Sequence, residues 1–229
     1  MRAVSWMIVT PSASVAWDGS RLRNTGPPAS AGLPLPPAQV PDDPGHCRRC
    51  GLWEHATQAV PGVGPARARI MLVGEQPGDQ EDLEGLPFVG PAGKLLERAL
   101  AEAGLERRKL YLTNAVKHFK WELRGKRRIH KTPAQREVQA CLHWLEAELA
   151  RVAPRVVVAL GAVALKALTG DPGATLQGAQ GRPRRHGERW LVATYHPAYV
   201  LRMPDPEQRQ RAFAALVESL REARRLQDT

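Results

Sequence analysis

The chain has 229 residues, 43% hydrophobic and 24% charged, which is typical of a folded globular protein and excludes wholesale disorder. No apolar run approaches the ~18 residues that a membrane-spanning helix needs, so we expect no membrane segment. The net charge is +10, and residues 117–131 alone contain seven Lys and Arg against one Glu. This density favours a polyanionic partner such as nucleic acid over an ordinary solvated basic face.

Residues 1–45 are rich in Pro, neutral overall and poor in large apolar side chains. Such a segment cannot bury enough surface to offset the entropy lost on ordering it. We therefore predict a flexible leader over residues 1–45 and a single folded domain over residues 46–229.

Four short apolar, β-branched runs predict strands at residues 69–74, 110–115, 155–161 and 190–196. Helical patterns separate them. One helix begins at Pro91 and ends before Gly104, a second begins at Thr132-Pro133, and two more cover residues 162–168 and 207–226. This alternation predicts an α/β fold with three layers, α/β/α, around a central four-stranded, mainly parallel sheet.

Polar side chains follow three of the predicted strands: Glu75 the first, Asn114 the second and His196 the fourth. Since parallel strands end at the same rim of a sheet, we expect these three groups to converge there. Four acidic residues come shortly after the first strand, at positions 79, 81, 82 and 84. We interpret this acidic cluster as a solvated loop rather than as a site for a hard metal ion.

Three cysteines, Cys47, Cys50 and Cys141, are an odd set for a disulfide framework. Together with His118 they suit tetrahedral zinc or an iron–sulfur cluster, and spacing alone favours zinc. Two plainer interpretations stay open at this point. Cys141 fits equally well as an apolar core residue of its helix, and His118 as a phosphate contact.

Ordered motifs along the chain resemble the iron–sulfur uracil-DNA glycosylases of the family 4 type, over residues 47 to about 220. They are Gly74-Glu75-Gln76-Pro77-Gly78, Gly85-Leu86-Pro87-Phe88-Val89-Gly90-Pro91-Ala92-Gly93-Lys94, Thr113-Asn114 and His196-Pro197. The stretch Lys126-Arg127-Arg128-Ile129-His130 resembles the insertion loop of the UdgX branch. Members of that branch link a loop histidine covalently to the deoxyribose left when uracil departs.

The resemblance implies a structural [4Fe–4S] cluster in place of zinc. Its ligands would be Cys47, Cys50, His118 and Cys141, with His118 standing where the family has its third cysteine. The cluster would pin the Cys47 turn, the basic segment and the helix of Cys141 around the DNA-binding face.

The resemblance also implies a role for each active-site residue. Phe88 would stack on the flipped uracil, Asn114 would pair with its O4 and N3–H edge, and Gln76 and Gly78 would complete the substrate-binding loop. His196 would donate to O2, where negative charge develops. Glu75 would be the catalytic carboxylate and His130 the nucleophile.

DNA contacts are expected from four basic residues. They are Lys126, Arg127, Arg128 and Arg202. Neighbouring cations disfavour protonation of His130 while DNA phosphates favour it, so the sequence leaves the direction of that pKa shift open. Ala198 stands where the family has Ser, which removes one hydroxyl contact to phosphate, and Val200 or Leu201 fits either a wedge into the base stack or the core.

We therefore expect a protein that excises uracil from DNA and becomes joined to the sugar C1′ through His130 in a single turnover. Its partner would be uracil-containing DNA, with single strands accepted, and it would act as a monomer in the cytoplasm, associated with the nucleoid. One alternative is a turnover glycosylase that releases uracil without cross-linking. Another is a non-catalytic iron–sulfur module that binds nucleic acid.

Overall fold

The computed structural model describes residues 43–229, so residues 1–42 of the predicted leader lie outside the described part, and the flexible leader stays a prediction. The strands are β1 (Ile70–Gly74), β2 (Tyr111–Asn114), β3 (Trp121–Arg124), β4 (Arg127–His130), β5 (Val156–Leu160), β6 (Arg184–His186) and β7 (Arg189–Thr194). The α-helices are α1 (Asp79–Glu84), α2 (Pro91–Ala103), α3 (Gln135–Val152), α4 (Ala162–Thr169), α5 (Leu176–Ala179), α6 (Pro197–Arg202) and α7 (Pro206–Leu226). Short 3-10 helices lie at Pro44–His46, Gly51–Glu54 and Arg107–Lys109.

The central sheet has the order β2-β1-β5-β7-β6. Its first four strands are parallel, which confirms the predicted α/β fold with a mainly parallel sheet. The predicted number of four strands is wrong, because β6 adds a fifth strand antiparallel to β7. The sequence of β6 is Arg-Arg-His and all three residues are exposed, so this edge strand has no apolar pattern to reveal it.

Helices cover both faces of the sheet, which confirms the three layers. Successive residues of β1 point to opposite faces, so Leu72 packs with α2 and α7 while Met71 packs with α3 and α4. Both β1 and β5 are buried along their whole length, as their continuous apolar runs predict.

The basic segment is a β-hairpin rather than the loop expected from the resemblance. β3 pairs antiparallel with β4, so that Trp121 lies opposite His130 and Arg124 opposite Arg127. The hairpin therefore holds His130 at the base of a strand, where its backbone is fixed by cross-strand hydrogen bonds.

Helix α3 begins two residues later than predicted from Thr132-Pro133. Its N-cap is Ala134, whose N–H donates to the Glu137 carboxylate at 2.6 Å. The Glu137 side chain in the first turn thus accepts a backbone N–H that has no partner within the helix. The prediction gave this capping role to Thr132.

Gly93 in α2 allows a close approach between this helix and the loop that carries Phe88. A Cβ atom at Gly93 would lie 2.0 Å from the carbonyl oxygen of Phe88, which is a backbone atom with no freedom to swing away. The glycine-rich motif therefore serves packing and places the Phe88 loop against the start of α2.

We predict that Gly93→Ala lowers the free energy of unfolding by about 1–3 kcal/mol through overpacking. Helix propensity alone would change stability in the opposite direction, because alanine is favoured over glycine inside a helix by about 1 kcal/mol. Chemical denaturation measures the difference. Ala101→Gly on the exposed face of α2 is the control and should cost about 1 kcal/mol from propensity alone. A stabilised Gly93→Ala protein would contradict the packing role.

Candidate active site

A cavity of about 440 Å³ opens at the carboxyl-terminal rim of the sheet. The structure brings all seven predicted catalytic and substrate-binding residues to its walls, together with Arg202. The seven are Glu75, Gln76, Gly78, Phe88, Asn114, His130 and His196. The convergence expected from the strand ends is therefore present in the fold.

Asn114 sits at the end of β2, directly opposite Gly74 of β1 in the parallel register. A Cβ at Gly74 would lie 2.3 Å from the Asn114 side-chain oxygen and 2.7 Å from the Phe88 ring. Only glycine at position 74 thus leaves room for the amide and the aromatic ring to occupy the same wall. The pair offers one flat apolar face and one polar edge to a ligand.

Phe88 adopts a left-handed backbone conformation, with φ of 56°, which is unfavourable for an aromatic residue. The Glu81 carboxylate holds the loop in this shape by accepting the N–H groups of Val89 at 3.0 Å, Gly90 at 2.8 Å and Gly78 at 3.1 Å. Glu81 therefore positions Phe88 from below the cavity.

The prediction that the acidic cluster is a solvated loop is therefore wrong. Glu81 and Asp82 are buried in α1, where Asp82 accepts the N–H of Thr57 and pairs with Arg128 at 2.6 Å. Sequence reasoning missed both roles. The available signal was Glu81 three residues after Gly78, a spacing typical of a helix N-terminus.

Glu75 follows β1 and points one carboxylate oxygen, Oε1, into the cavity wall. That oxygen is buried and has no hydrogen-bond partner among the described residues. Burial raises the pKa of Glu75, and the nearby Arg202 guanidinium opposes this increase. The Glu75 carboxyl group therefore has an acceptor oxygen in the cavity wall that no described residue uses.

His196 caps helix α6 with its ring. Its Nδ1 accepts the N–H of Ala198 at 3.1 Å, so the neutral ring carries its proton on Nε2. Burial, reinforced by the nearby His130 and Arg202, lowers the pKa of His196 to about 4. His196 is therefore a neutral hydrogen-bond donor, and its ring centroid lies 6.2 Å from that of Phe88.

His130 reaches the same cavity from the hairpin. Its Nε2 lies 3.5 Å from Glu75 Oε1, and its ring packs against Phe119. Burial lowers the pKa of His130, and so does Arg202. The direction that the sequence left open is therefore toward a neutral imidazole.

Gln76 lines the cavity, and its side-chain amide binds the hairpin. Its Nε2 donates to the carbonyls of Lys120 and Lys131, both at 3.1 Å, and its Oε1 accepts the N–H of Lys120 at 3.1 Å. Lys120 and Lys131 flank the two strands, so one amide closes the base of the hairpin. The Gln76 amide is therefore a clamp beside Glu75, and the expected contribution of Gln76 to substrate binding stays a prediction.

Most of the cations in the basic segment have acidic partners. Arg128 pairs with Asp79 at 2.5 Å as well as with Asp82, and Lys117, Lys120 and Lys131 pair with Glu148, Glu137 and Glu122. Arg128 thereby ties the hairpin to α1, and the DNA contact expected for it stays a prediction. Among the described residues, no acidic partner contacts the three exposed cations around the hairpin turn, which are Arg124, Lys126 and Arg127.

The three cysteines form no disulfide. Burial raises the pKa of Cys50, and the neighbouring Cys47 adds to this increase. Cys141 is buried in α3, accepts the N–H of Lys117 at 3.3 Å, and has a pKa raised by burial to about 11. Arg48, beside Cys47, lies near enough to the buried His118 to lower its pKa. The donor types suit a thiolate-held group, although residues 43–229 contain no closed set of three or more ligands already arranged around a metal.

Comparison with known proteins gives the chain's family. The pattern of the Uracil DNA glycosylase superfamily matches residues 61–221. The chain belongs to this superfamily. Type-4 uracil-DNA glycosylases from Archaeoglobus fulgidus and Thermotoga maritima are 39% and 37% identical to it, over 69% and 72% of this chain and 79% and 82% of theirs. A type-5 uracil-DNA glycosylase from Thermus thermophilus is 35% identical over 60% of this chain and 68% of its own.

The region matched to the superfamily, residues 61–221, contains the whole cavity. It also contains His118 and Cys141, whereas Cys47 and Cys50 precede it. No helix within residues 43–229 is both long and apolar enough to cross a membrane.

The structure also decides between two interpretations of the segment after His196. Val200 is fully buried and belongs to the core, while Leu201 is 42% exposed and lines the cavity. Of the two, only Leu201 is accessible from the cavity, and the wedge into a base stack stays a prediction for it.

We predict that the His196 ring stays neutral, with its proton on Nε2, from about pH 5 upward. Since the folded-state pKa of about 4 lies below the ordinary 6.5, the unfolded chain takes up the proton first. The contribution of neutral His196 to the free energy of unfolding is therefore complete above about pH 6.5. It is lost as the pH falls toward 4. Ring nitrogen NMR shifts followed from pH 8 to 4 measure this. A His196 signal that titrates near 6.5 would contradict the assignment.

Proposed function

We propose that this protein is a uracil-DNA glycosylase of DNA repair that excises uracil and then joins its own His130 to the sugar. The observation that carries this proposal is the placement of His130 Nε2 3.5 Å from Glu75 Oε1 in the cavity that also holds Asn114 and His196. Four polar side chains, a carboxyl group, an amide and two imidazoles, thus face one ligand-sized space. The similarity of the chain to type-4 and type-5 uracil-DNA glycosylases supports the first half of the proposal.

Base recognition belongs to Phe88 and Asn114. The flipped uracil stacks on the Phe88 ring, and the Asn114 amide donates to O4 and accepts N3–H. Cytosine presents the opposite donor and acceptor pattern at these positions, so it would leave two polar groups unpaired. An unpaired polar edge in a closed pocket costs about 1–3 kcal/mol, which corresponds to about 5- to 150-fold discrimination.

Departure of the base belongs to His196. As the C1′–N1 bond breaks, its electron pair leaves with the base, and negative charge develops on uracil O2. The His196 Nε2–H, already oriented by the Nδ1 contact to Ala198, donates to that oxygen. The preset ring orientation means that no reorganisation is needed when the charge appears.

In this proposal His130 and Glu75 capture the sugar. The Glu75 carboxylate stabilises the positive charge left on the sugar ring, and the lone pair of neutral His130 forms the new bond to C1′. The imidazolium so formed then releases its remaining ring proton to water or to Glu75. The lowered pKa of His130 favours this path, because a protonated imidazole has no free lone pair.

The exposed hairpin turn supplies the DNA contacts in this proposal. Lys126 and Arg127 would bind phosphates, and Arg202 would do so at the cavity mouth. Single-stranded DNA suits the site because its bases need no unpairing before they enter. Such a protein would act as a monomer on chromosomal DNA in the cytoplasm.

A [4Fe–4S] cluster would be held by Cys47, Cys50, His118 and Cys141. Support comes from the packing of the three cysteines in one cluster and from Cys141 Sγ, which accepts the N–H of Lys117 next to His118 at 3.3 Å. The cluster would cross-link the Cys47 turn, the end of β2 and α3, and thereby act as a structural support.

The central test incubates the protein with a uracil-containing single-stranded oligonucleotide and separates the products on a denaturing gel. We expect a slowly migrating protein–DNA band with the wild type and its loss in His130→Ala, because the only bond to DNA is the one to this imidazole. His186→Ala, a change at an exposed histidine of β6, is the matched control and should leave the band intact. A band that persists in His130→Ala would contradict covalent capture.

The same gel, combined with detection of free uracil, separates the other functions. Uracil release with alkali-labile DNA and no slow band would identify a turnover glycosylase, in which the free Glu75 oxygen orients water. Binding without uracil release, unaffected by Glu75→Ala, would identify a non-catalytic module.

We predict that the purified protein is coloured and contains iron, since iron–sulfur clusters absorb visible light and zinc sites do not. His118→Cys should retain the absorption because a thiolate replaces an imidazole, whereas Cys141→Ser should lose most of it. Metal analysis and the visible spectrum measure both. A colourless protein with one zinc ion per chain would contradict the cluster.

A further inference from the structure

Lys117 is a fully buried lysine outside the catalytic chemistry described above. Its side chain is 1% exposed, on the element that leads from Asn114 of β2 toward the hairpin. An ammonium group loses its hydration on burial, so it needs a partner for each of its three N–H bonds. The structure supplies all three.

The three partners lie around the end of β2. Lys117 Nζ donates to Thr113 Oγ1 at 2.7 Å, to the main-chain carbonyl of Asn114 at 2.8 Å and to Glu148 Oε2 at 2.8 Å. One of the three bonds therefore fixes the peptide of the residue that faces the base.

Glu148 completes the network from α3. Its Oε2 also accepts the Thr113 hydroxyl at 2.6 Å, and its Oε1 accepts the N–H of Gly62 at 2.8 Å. Both ends of the buried ion pair are thus satisfied. The network joins three segments that are distant in sequence at a point directly behind Asn114.

The main chain of Asn114 is held on its other side by β1. Gly74 is its neighbour in the parallel register, and the N–H of Ala115 donates to the Gly74 carbonyl at 2.9 Å. The sheet fixes one side of the Asn114 backbone, and the Lys117 ammonium fixes the carbonyl. From this backbone the Asn114 side chain extends beside Phe88 into the cavity wall.

Stability alone does not require these charges. Replacing a buried ion pair by well-packed apolar residues of similar volume is often neutral or stabilising. An ion pair placed here has a second consequence that apolar residues cannot provide, because only a donor can bind the Asn114 carbonyl.

We infer that Lys117, held by Glu148, is a positioning residue that sets uracil specificity by keeping the Asn114 peptide in the orientation that presents its amide to the base. This inference rests on the proposed glycosylase function. It assigns no contact with DNA to Lys117 itself.

The test is a double-mutant cycle. The variants are Lys117→Met, the paired change Lys117→Met/Glu148→Leu, and each of these combined with Asn114→Ala. The paired change removes both buried charges, so it keeps the test informative if Lys117→Met alone does not fold. Single-turnover uracil release is measured on the whole protein, with cytosine release as the measure of specificity.

We expect the paired change to slow uracil release by about tenfold to a hundredfold while cytosine release does not fall in parallel. In the Asn114→Ala background the same change should alter the rate by no more than about twofold, because the group being positioned is already absent. In the His196→Ala background the full loss should remain. Full additivity with Asn114→Ala, or an unchanged rate, would overturn the inference.

Arg151→Met is the matched control. Arg151 also extends from α3 to β2, where it donates to the Tyr111 hydroxyl at 2.6 Å, but it does not contact Asn114. Its loss should leave the ratio of uracil to cytosine release unchanged.

A crystal structure of the paired variant supplies a measurement that needs no activity. We expect the Asn114 peptide to rotate and its amide to leave the cavity wall. An Asn114 that stays in place would overturn the inference even if the rate falls. If the wild type releases no uracil at all, the proposed function fails, and this structural readout still decides the role of Lys117.

Discussion

Parallel pairing of β1 with β2 and β5, and of β5 with β7, is the constraint on which the rest of the site depends. Neighbouring strands lie about 4.8 Å apart, so groups at the ends of β2, β1 and β7 fall within the reach of one nucleotide. The register adds a finer condition, because it puts Gly74 opposite Asn114 where no Cβ would fit. Sheet geometry alone therefore creates a wall with an amide, a carboxylate and an imidazole.

Buried polar side chains then hold the loops of this rim in place. Glu81 accepts three N–H groups beneath the Phe88 loop, the Gln76 amide closes the hairpin, and Lys117 donates three bonds behind Asn114. Each side chain offers the number of donors or acceptors that its position needs, so burial leaves none of these contacts unpaired. Such networks are costly when incomplete, which makes the loop conformations specific.

Burial also sets the charge state of the cavity. The pKa values of His130 and His196 are lowered and that of Glu75 is raised, so burial favours the neutral form of every one of these groups. Arg202 opposes the shift at Glu75 and reinforces it at the two imidazoles. One cation at the mouth therefore favours an ionised carboxylate next to two neutral rings, which is the combination that anion departure and cation capture require.

The sequence by itself determined the α/β class, four of the five sheet strands and the identities of the groups at the strand ends. It could do so because apolar periodicity reports burial, and parallel strands necessarily share a rim. It also placed His130 in the basic segment. The superfamily pattern over residues 61–221 agrees with that reading of the motifs.

Only the tertiary structure decided which partner each polar side chain takes. Arg128 pairs with Asp82, 46 positions away, and Lys117 with Glu148, 31 positions away, so part of the basic segment serves the fold and is not free for a partner. The exposed strand β6, the short helix α1 and the use of the Gln76 amide were hidden for the same reason. None of them depends on local periodicity, because each is stabilised by contacts with residues that only folding brings near.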